Sequence, residues 1–290
     1  MKTSTILLTF ACLFLFACEK EVKYADVTTN VIDTSALGKF IKATGIVDTK
    51  LKANLDSLIT RARRHGWWDL CNVIYPLAGG TQGSCKYNLK DPRDADAAFR
   101  LSFIGGTWIF TFIAANPGAT GYGYTYFNPS TQIADPNSCH LSVYSMDDVP
   151  GGADNADIGA YDDSAHLGFY LSTRDTYPDS SGKPLAEISK SVFQGTSQNG
   201  AGFFLTTKTS ASNASLYWGS SLVGQDSTAG SGNLPNLDLF ICNQNFTGSA
   251  EPYDAGFSQR GFAFITIGSG INNTIEALMY LDISDFVDNK

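Results

Sequence analysis

The spacing of hydrophobic residues along the chain changes from helical to strand-like near residue 99. Before that point, hydrophobic residues recur between Leu51 and Ala62 at the spacing that places them on one face of a helix. Asp48 precedes this segment as a candidate N-cap, and Gly66 follows it as a natural C-terminal stop. The pattern therefore predicts an amphipathic helix.

From Phe99 onward, hydrophobic and polar residues alternate in short runs that end at Gly, Asn or Pro. This period-two pattern is typical of strands joined by tight turns. After the first run, which ends at Phe103, the predicted strands are Trp108–Ala114, Gly121–Phe127, His140–Met146, His166–Ser172, Gly202–Thr207, Ser215–Gly219, Leu237–Ile241 and Gly261–Ile267. Because no helical pattern separates them, these runs predict an all-β protein, an antiparallel sandwich rather than a parallel α/β sheet.

A second helix is predicted at the C-terminus, where Asn273 is a candidate cap and Glu276 stands in its first turn. The apolar residues that share one face of this helix are Ile275, Leu278, Met279, Ile283 and Phe286. Both predicted helices have one apolar stripe that must be buried, so we expect both to dock on the sandwich. The predicted organisation is a helical segment at 36–98 that packs on a β-sandwich at 99–290.

The first 17 residues have the composition of an export signal. The apolar run Ile6–Ala17 follows Lys2 and is shorter than the roughly 20 residues of a membrane-spanning helix. It leads into Leu15-Phe16-Ala17-Cys18, which resembles a bacterial lipobox, where the cysteine thiol receives diacylglycerol. We therefore expect a lipid on Cys18, a polar tether at 18–35 and a place on the outer membrane, with the periplasmic or surface side left open. Simple secretion is the alternative.

Composition supports a folded domain outside the cytoplasm. The chain is 43% hydrophobic, which suits a globular core, and its net charge of −8 argues against binding to nucleic acid. Besides Cys12 and Cys18, the cysteines are Cys71, Cys85, Cys139 and Cys242. Disulfides can form in an exported protein, but the sequence does not choose among the pairings. None of the cysteines forms a CxxC pair, so no zinc site is predicted.

Several segments together resemble an uncharacterised module found in exported proteins of Bacteroidetes-like bacteria and in tail-associated proteins of their phages. The resemblance runs from about Phe40 to Phe286, and Asn88–Asp94 is its most specific part. The other segments are Trp68 with Val73–Pro76, Gly79–Thr81, Ala97–Leu101, Gly168–Tyr170, Leu234–Leu237 and Phe262–Ile271. The second half of the chain, with the strand Leu216–Trp218 before a Gly turn, also looks like laminin-G and concanavalin-A-like sandwiches.

This resemblance implies a jelly-roll fold of the concanavalin-A-like kind that commonly binds glycans, and it implies no settled activity. The four cysteines after Cys18 depart from the module's pattern, which suggests disulfides added for the exported setting. The stretch Trp108–Ala114 is also more apolar than the module's corresponding stretch.

No catalytic constellation is recognised in the sequence, so we do not predict an enzyme. Glycoside hydrolases need two carboxylates in fixed geometry, and no strand carries such a pair of glutamates. Gly268-Ser269-Gly270 is not a full nucleophile elbow and has no obvious histidine partner. His140 and His166 lie in strand patterns, where a structural role is common. A glycoside hydrolase that uses an Asp pair remains an alternative.

A row of tyrosines is the strongest indication of ligand binding. Tyr122, Tyr124 and Tyr126 alternate with Gly121 and Gly123, which places the three rings on one face of a strand. Such rings could stack on the C–H faces of sugars, or they could pack against the opposing sheet. We favour packing in the core or at the sheet edge, because the glycine face is nearly bare and the tyrosine face must then carry the buried contacts.

Two further features are candidates for binding. Trp218, beside a predicted hairpin turn, is a second aromatic platform for a glycan. Asp154, Asp157 and Asp162 lie between two predicted strands, and carboxylates from such loops can bind calcium. Their spacing does not match an EF-hand, so a solvated acidic loop is the alternative, and no other cofactor is required.

These observations lead to one main hypothesis and two alternatives. The main hypothesis is a membrane-anchored lipoprotein with a lectin-like sandwich that binds glycan or a surface polymer. The first alternative is a phage-derived structural module that contacts other proteins, and the second is a glycoside hydrolase.

Overall fold

Sixteen strands form two facing sheets in the computed structural model, which describes residues 34–149, 156–175, 182–196, 199–227, 232–246 and 256–289. These residues belong to one compact unit. All strand pairings between the described residues are antiparallel except one.

Sheet 1 contains eight strands from both ends of the chain. They are β1 (Cys71–Pro76), β3 (Ile109–Thr111), β4 (Ala114–Asn116), β6 (Cys139–Ser145), β11 (Gly202–Ser210), β12 (Asn213–Trp218), β13 (Ser221–Asp226) and β16 (Phe262–Gly268). Their order is β13-β12-β11-β6-β16-β4-β3, and β1 also pairs with β16.

Sheet 2 contains the other eight strands. They are β2 (Ser102–Ile104), β5 (Tyr122–Tyr124), β7 (Ile158–Asp162), β8 (Leu167–Asp175), β9 (Lys183–Ser189), β10 (Ser191–Gln194), β14 (Phe240–Ile241) and β15 (Asn245–Phe246). Their order is β10-β9-β8-β7-β14-β5-β2, and β15 runs parallel to β7. Strands far apart in sequence lie side by side in both sheets, so the fold is the predicted antiparallel jelly-roll sandwich.

Alternating side chains of both sheets meet in the core between them. Leu141 of β6, Phe169 of β8 and Ile241 of β14 are each 0% exposed there. A register shift in β16 directs Phe262 into this core and Phe264 to the outer face of sheet 1. Sheet 1 therefore carries buried apolar side chains on both of its faces, as expected where a sheet is covered on both sides.

Three helices cover the outer face of sheet 1. They are α1 (Thr34–Thr44), α2 (Thr49–Arg64) and α5 (Asn273–Asp288). Shorter turns occur at α3 (Gln82–Cys85), at α4 (Pro129–Gln132) and in the 3-10 helix Asp96–Ala98. Helix α2 confirms the predicted helix, because the Asp48 carboxylate accepts a hydrogen bond from the Leu51 amide (2.7 Å) and Gly66 follows the last turn with φ +81°.

The C-terminal helix is also present, but its cap and its buried face differ from the prediction. Asn272, not Asn273, is the N-cap, and its side chain accepts hydrogen bonds from the Thr274 and Ile275 amides. The buried residues are Glu276, Met279, Asp282, Ile283, Phe286 and Val287. The face is rotated because Asp282 points inward, where its carboxylate accepts hydrogen bonds from His65 Nδ1 (2.7 Å) and Trp67 Nε1 (2.9 Å).

Several elements were not predicted from the sequence. Helix α1 overlaps the end of the predicted tether, and strand β1 lies within the segment predicted to be helical. Strands β7, β9, β10, β13 and β15 were also missed. Within the described ranges, no helix combines the length and the hydrophobicity needed to cross a membrane.

The expected disulfides are wrong for the four cysteines of the sandwich. Cys71, Cys85, Cys139 and Cys242 are buried free thiols. Burial raises the pKa of Cys71 and Cys139 to about 12 and that of Cys85 to about 11, so these thiols are neutral core residues. Cys18 lies outside the described residues.

Candidate ligand-binding face

The outer face of sheet 2 lies on the opposite side of the sandwich from helices α1, α2 and α5. Strand register places one residue from each of seven neighbouring strands in a single row across this face. The row is Ser102, Tyr124, Phe240, Gly159, Tyr170, Glu187 and Val192. We call this surface the tyrosine face.

The tyrosines point away from the core between the sheets, so they do not pack against the opposing sheet; they pack on one another and on Phe240 at the outer face of sheet 2. Gly123 faces the core instead, and a Cβ atom on it would lie 2.4 Å from Ile241 Cγ1. The Ile241 side chain therefore fills the space beside Gly123, and the neighbouring Tyr122 and Tyr124 project from the other face.

The tyrosine rings pack around Phe240, whose side chain is 0% exposed. The ring centroids of Tyr122 and Tyr124 lie 4.9 and 5.0 Å from that of Phe240. The Tyr124 hydroxyl donates a hydrogen bond to Asp238 Oδ2 (2.7 Å), while Tyr122 is only 7% exposed. Tyr124 thus combines a half-buried ring with a carboxylate partner at its edge.

Tyr126 joins this surface although it lies beyond the strand. Strand β5 ends at Tyr124, and Tyr126 has a left-handed backbone with φ +56°. Its ring nevertheless lies 4.6 Å from that of Tyr124, its hydroxyl is 2.8 Å from Ser102 Oγ, and the Arg100 guanidinium lies 5.8 Å from its centroid. The three predicted rings are therefore together, through tertiary contacts rather than through strand alternation alone.

Two glycines open the middle of the row for larger side chains. A Cβ atom on Gly159 would lie 2.2 Å from Tyr170 Cβ, and one on Gly168 would lie 2.4 Å from Glu187 Cδ. The Glu187 carboxyl consequently rests on the Gly168 backbone, where it hydrogen-bonds to the Gly168 amide and the Tyr170 hydroxyl. Burial raises the pKa of Glu187 to about 7.

Sequence reasoning missed Glu187 as part of this face. Gly168 and Tyr170 stood out only through the family resemblance, and an isolated glutamate gave no pattern. The sequence offers one indication of this face, because Gly159 alternates with Tyr161 and Gly168 with Tyr170. Each glycine lies opposite a tyrosine of the neighbouring strand, and a small residue leaves room for a large one on the same face of a sheet.

Trp218 does not join the tyrosine face. It lies on β12 of sheet 1, half-buried against the core between the sheets, with its ring 6.4 Å from Phe204. Its indole N–H donates a hydrogen bond to the Ala201 carbonyl (3.0 Å). The structure thus gives Trp218 a packing role at the edge of the core.

The predicted calcium residues are separated by strand β7. Asp157 precedes this strand and is fully buried, whereas Asp162 ends it and accepts hydrogen bonds from the Ser164 amide and hydroxyl. Asp154 lies outside the described residues. Asp157 and Asp162 are therefore not brought together, because five residues of extended strand span about 16 Å.

The Asp157 carboxylate is occupied by protein groups. Its Oδ1 atom accepts hydrogen bonds from Arg260 Nη1 (2.6 Å) and Ser258 Oγ (2.6 Å), and its Oδ2 atom accepts one from the Thr173 amide (2.6 Å). The Arg260 guanidinium supplies the positive charge that balances the Asp157 carboxylate. No cluster of three or more metal-ligating side chains occurs in the described part of the chain.

His140 is held in the core by both ring nitrogens. Its Nδ1–H donates to the Ser269 carbonyl (2.5 Å), which can only accept, so Nε2 accepts from the Thr266 hydroxyl (2.9 Å). Burial lowers the pKa of His140 to about 4. The residue is therefore a neutral structural histidine, in line with the sequence interpretation.

Comparisons with known proteins show a likeness of fold. No protein-family model and no curated protein matches the chain. Domain 4 of AbnA, a GH43 extracellular arabinanase from Geobacillus stearothermophilus solved with arabinotriose, has a TM-score of 0.49 at 10% identity, over 72% of this chain and 97% of that one.

Two further structures resemble parts of the fold. A mutant of Trypanosoma rangeli sialidase has a TM-score of 0.45 at 10% identity and covers 80% of this chain, which spans only 39% of the sialidase. The binding domain of botulinum neurotoxin serotype D has a TM-score of 0.42 at 9% identity, over 73% of this chain and 51% of that one.

Proposed function

We propose that this protein is a lipid-anchored outer-membrane lipoprotein whose β-sandwich binds glycans through the tyrosine face. The observation that carries the proposal is the pair of partly exposed rings of Tyr124 and Tyr126, which pack on the buried Tyr122 and Phe240, with the Asp238 carboxylate at their edge. Flat rings accommodate the apolar C–H faces of sugars, and a carboxylate accepts hydrogen bonds from sugar hydroxyls.

The shape and charge of this face suit an extended, hydroxyl-rich ligand. The row crosses seven strands that lie about 4.8 Å apart, and its members Ser102, Tyr124, Tyr170 and Val192 are at least partly exposed, whereas Phe240, Gly159 and Glu187 are buried. The partly exposed Asp238 and the buried Glu187 contribute carboxyl groups at two points along it. Together with the net charge of −8, they disfavour nucleic acid and other polyanions.

Tyr124→Ala tests the glycan proposal. We expect this change to weaken glycan binding by about 1–3 kcal/mol, the range for loss of one stacked aromatic ring. The unfolding midpoint should fall less than for a ring in the core between the sheets, because the half-buried Tyr124 loses only its contacts with Phe240, Tyr126 and Asp238. Glycan-array screening of the purified protein identifies the ligand, and calorimetric titration measures the effect.

Tyr87→Ala is the matched control, because Tyr87 is a half-buried tyrosine that packs on the helix side of sheet 1. Its affinity for the same glycan should equal that of the parent protein. A Tyr124→Ala variant that melts early and binds normally would contradict the proposal.

Glycoside hydrolysis is the second candidate, favoured by the position of Glu187 in the row. A general acid works best when its pKa lies near the working pH, and Glu187 meets that condition beside Tyr170, although only 4% of the residue is exposed and a substrate would have to reach it. Release of reducing sugar from a bound glycan, lost in Glu187→Gln while binding remains, would identify catalysis. Binding without turnover in the parent protein would support a purely lectin-like role.

A further inference from the structure

A polar groove lies on the outer face of sheet 1, on the opposite side of the sandwich from the tyrosine face. It has a volume of about 290 Å³ and is bounded by strands β11, β12 and β13 and by the first residues of α5. Register places Thr207, Ser215 and Gln225 in one cross-strand row and Tyr217 beside Leu222 in the next. We propose that this groove is a second binding site, for one or two rings of an uncharged glycan.

The lining of the groove matches a neutral ligand with many hydroxyl groups. It contains no charged side chain and consists mainly of four carboxamides, three aliphatic hydroxyls and the Tyr217 phenol. A carboxamide donates and accepts hydrogen bonds at the same time, as a sugar hydroxyl does. An ionic ligand would lose its hydration here without gaining an opposite charge.

Hydrogen bonds within the groove fix the orientation of its amides. Gln225 Nε2 donates to Asn213 Oδ1 (2.9 Å), and Asn213 Nδ2 donates to Thr209 Oγ1 (3.1 Å). This arrangement leaves Gln225 Oε1 to accept a hydrogen bond from a ligand. The oxygen of Asn272 is used by the helix cap, so its amino group is left to donate, and Asn273 makes no side-chain hydrogen bond with the described residues.

One wall of the groove also offers apolar surface. Leu222 is 52% exposed and lies in register with Tyr217, so the two side chains are neighbours on the same face. A sugar ring has an apolar face as well as hydroxyls, and contact with both side chains would cover that face. The groove thus combines the two kinds of surface that a sugar requires.

A buried carboxyl group lies behind the groove, close to Tyr217 but not among the lining residues. Glu276 lies one helical turn after Asn272, is 1% exposed, and its Oε1 atom has no hydrogen-bond partner. Its proximity to the phenol contributes, after burial, to the raised pKa of Tyr217.

Calorimetric titration of the mature, detergent-solubilised protein tests this site. The probes are cellotetraose and xylotetraose, which are neutral, and tetragalacturonate, which is acidic. We expect a neutral probe to bind and the double variant Gln225→Ala, Asn273→Ala to weaken that binding at least tenfold with an unchanged melting temperature. Gln132→Ala, which removes an exposed amide outside the groove, should bind as the parent does.

Two further results separate this site from the tyrosine face. If Tyr124→Ala retains the binding that the double variant loses, the groove is a site of its own and stands even if the glycan proposal for the tyrosine face fails. If the double variant binds both neutral probes as the parent does, the inference is wrong, whatever happens at the tyrosine face. Failure of both neutral probes to bind the parent at millimolar concentration would also overturn it.

Discussion

Asp157 and Arg260 form an ion pair inside the sandwich, with side-chain exposures of 0% and 1%. The guanidinium also donates hydrogen bonds to the Val149 and Arg174 carbonyls (2.9 and 2.7 Å), so it ties three chain segments together. A buried pair of this kind stabilises little relative to an apolar pair of similar volume. Removal of one partner is costly because it leaves the other charge buried and unpaired.

Asp157→Asn should therefore lower the free energy of unfolding by about 3–5 kcal/mol, measured by urea denaturation. Arg93→Gln is the control, because Arg93 and Asp91 form a pair on the surface. That change should shift the free energy by at most about 1 kcal/mol. Equal losses of unfolding free energy in the two variants would show that burial of the Asp157–Arg260 pair does not raise the cost of removing one partner.

The burial of Glu276 leads us to expect that the free energy of unfolding depends on pH. Burial raises its pKa from 4.5 to about 8, so the folded protein holds a proton there that the unfolded chain releases near pH 4.5. The contribution is fully present below pH 4.5 and is lost as the pH rises towards 8. Glu276→Gln should remove this decline, which has a slope of at most about 1.4 kcal/mol per pH unit.

Urea denaturation of parent and Glu276→Gln at pH 5, 6, 7 and 8 measures the difference. His140 acts in the opposite direction, because its lowered pKa of about 4 makes the folded state lose stability as the pH falls below 6.5. Since both proteins contain His140, its effect cancels in the comparison. If the free energies of unfolding of the two proteins change in parallel with pH, Glu276 is not the source of the decline.

At the scale of elements, helix α5 stabilises the sandwich through one face only. Ile283 is 0% exposed against sheet 1, whereas Leu281 on the same helix is 59% exposed. Ile283→Ala should lower the free energy of unfolding by about 2–5 kcal/mol, the range for a large-to-small change in a core. Leu281→Ala should change it by at most about 0.5 kcal/mol.

Chemical denaturation of the two variants checks this prediction, because both remove aliphatic carbons from the same helix. If both variants unfold at the parent's midpoint, the helix does not contribute to the stability of the sandwich.

Prediction of elements succeeded where local patterns were strong. Helix α2 has a capping Asp48, a regular apolar stripe and a terminal Gly66, and it was found with its boundaries nearly correct. Strand β7 was missed because Gly159 and Ala160 give little hydrophobic contrast. Its omission made Asp157 and Asp162 look like neighbours in one loop, and it is the reason that the structure does not bring the expected calcium residues together.

At the scale of the whole molecule, the lipobox predicts how the sandwich is held at the membrane. Cys18→Ser should leave the precursor uncut and move the protein out of the lipid-anchored membrane pool, because the thiol is the attachment point for the lipid. Stable anchoring requires more than one acyl chain, which lipoprotein processing supplies. Metabolic labelling with a fatty acid and membrane fractionation measure the change.

Cys12→Ser is the control, because Cys12 lies in the apolar run that cleavage removes. This variant should be labelled and fractionate as the parent does. Unchanged labelling of Cys18→Ser would rule out lipidation at Cys18.

The sequence by itself determined the class of fold, because the periods of hydrophobic residues and the positions of caps and turns are local properties. It also showed that Tyr122 and Tyr124 share a face. It did not determine whether that face is buried. Alternation separates the two faces of a strand, but the neighbouring strands decide which face meets the core. Ile241, from a strand more than 100 residues away, fills the space beside Gly123 and turns the tyrosines outward.

Both candidate sites depend on such long-range pairing. Glu187 meets Tyr170 through the register of β8 and β9, and the groove joins Gln225 to Asn273 across the end of sheet 1. No local pattern marks these residues, because each is a single polar side chain in its own segment. Only the tertiary structure decides which polar residues lie side by side, because burial of the apolar faces sets how the strands and helices pack.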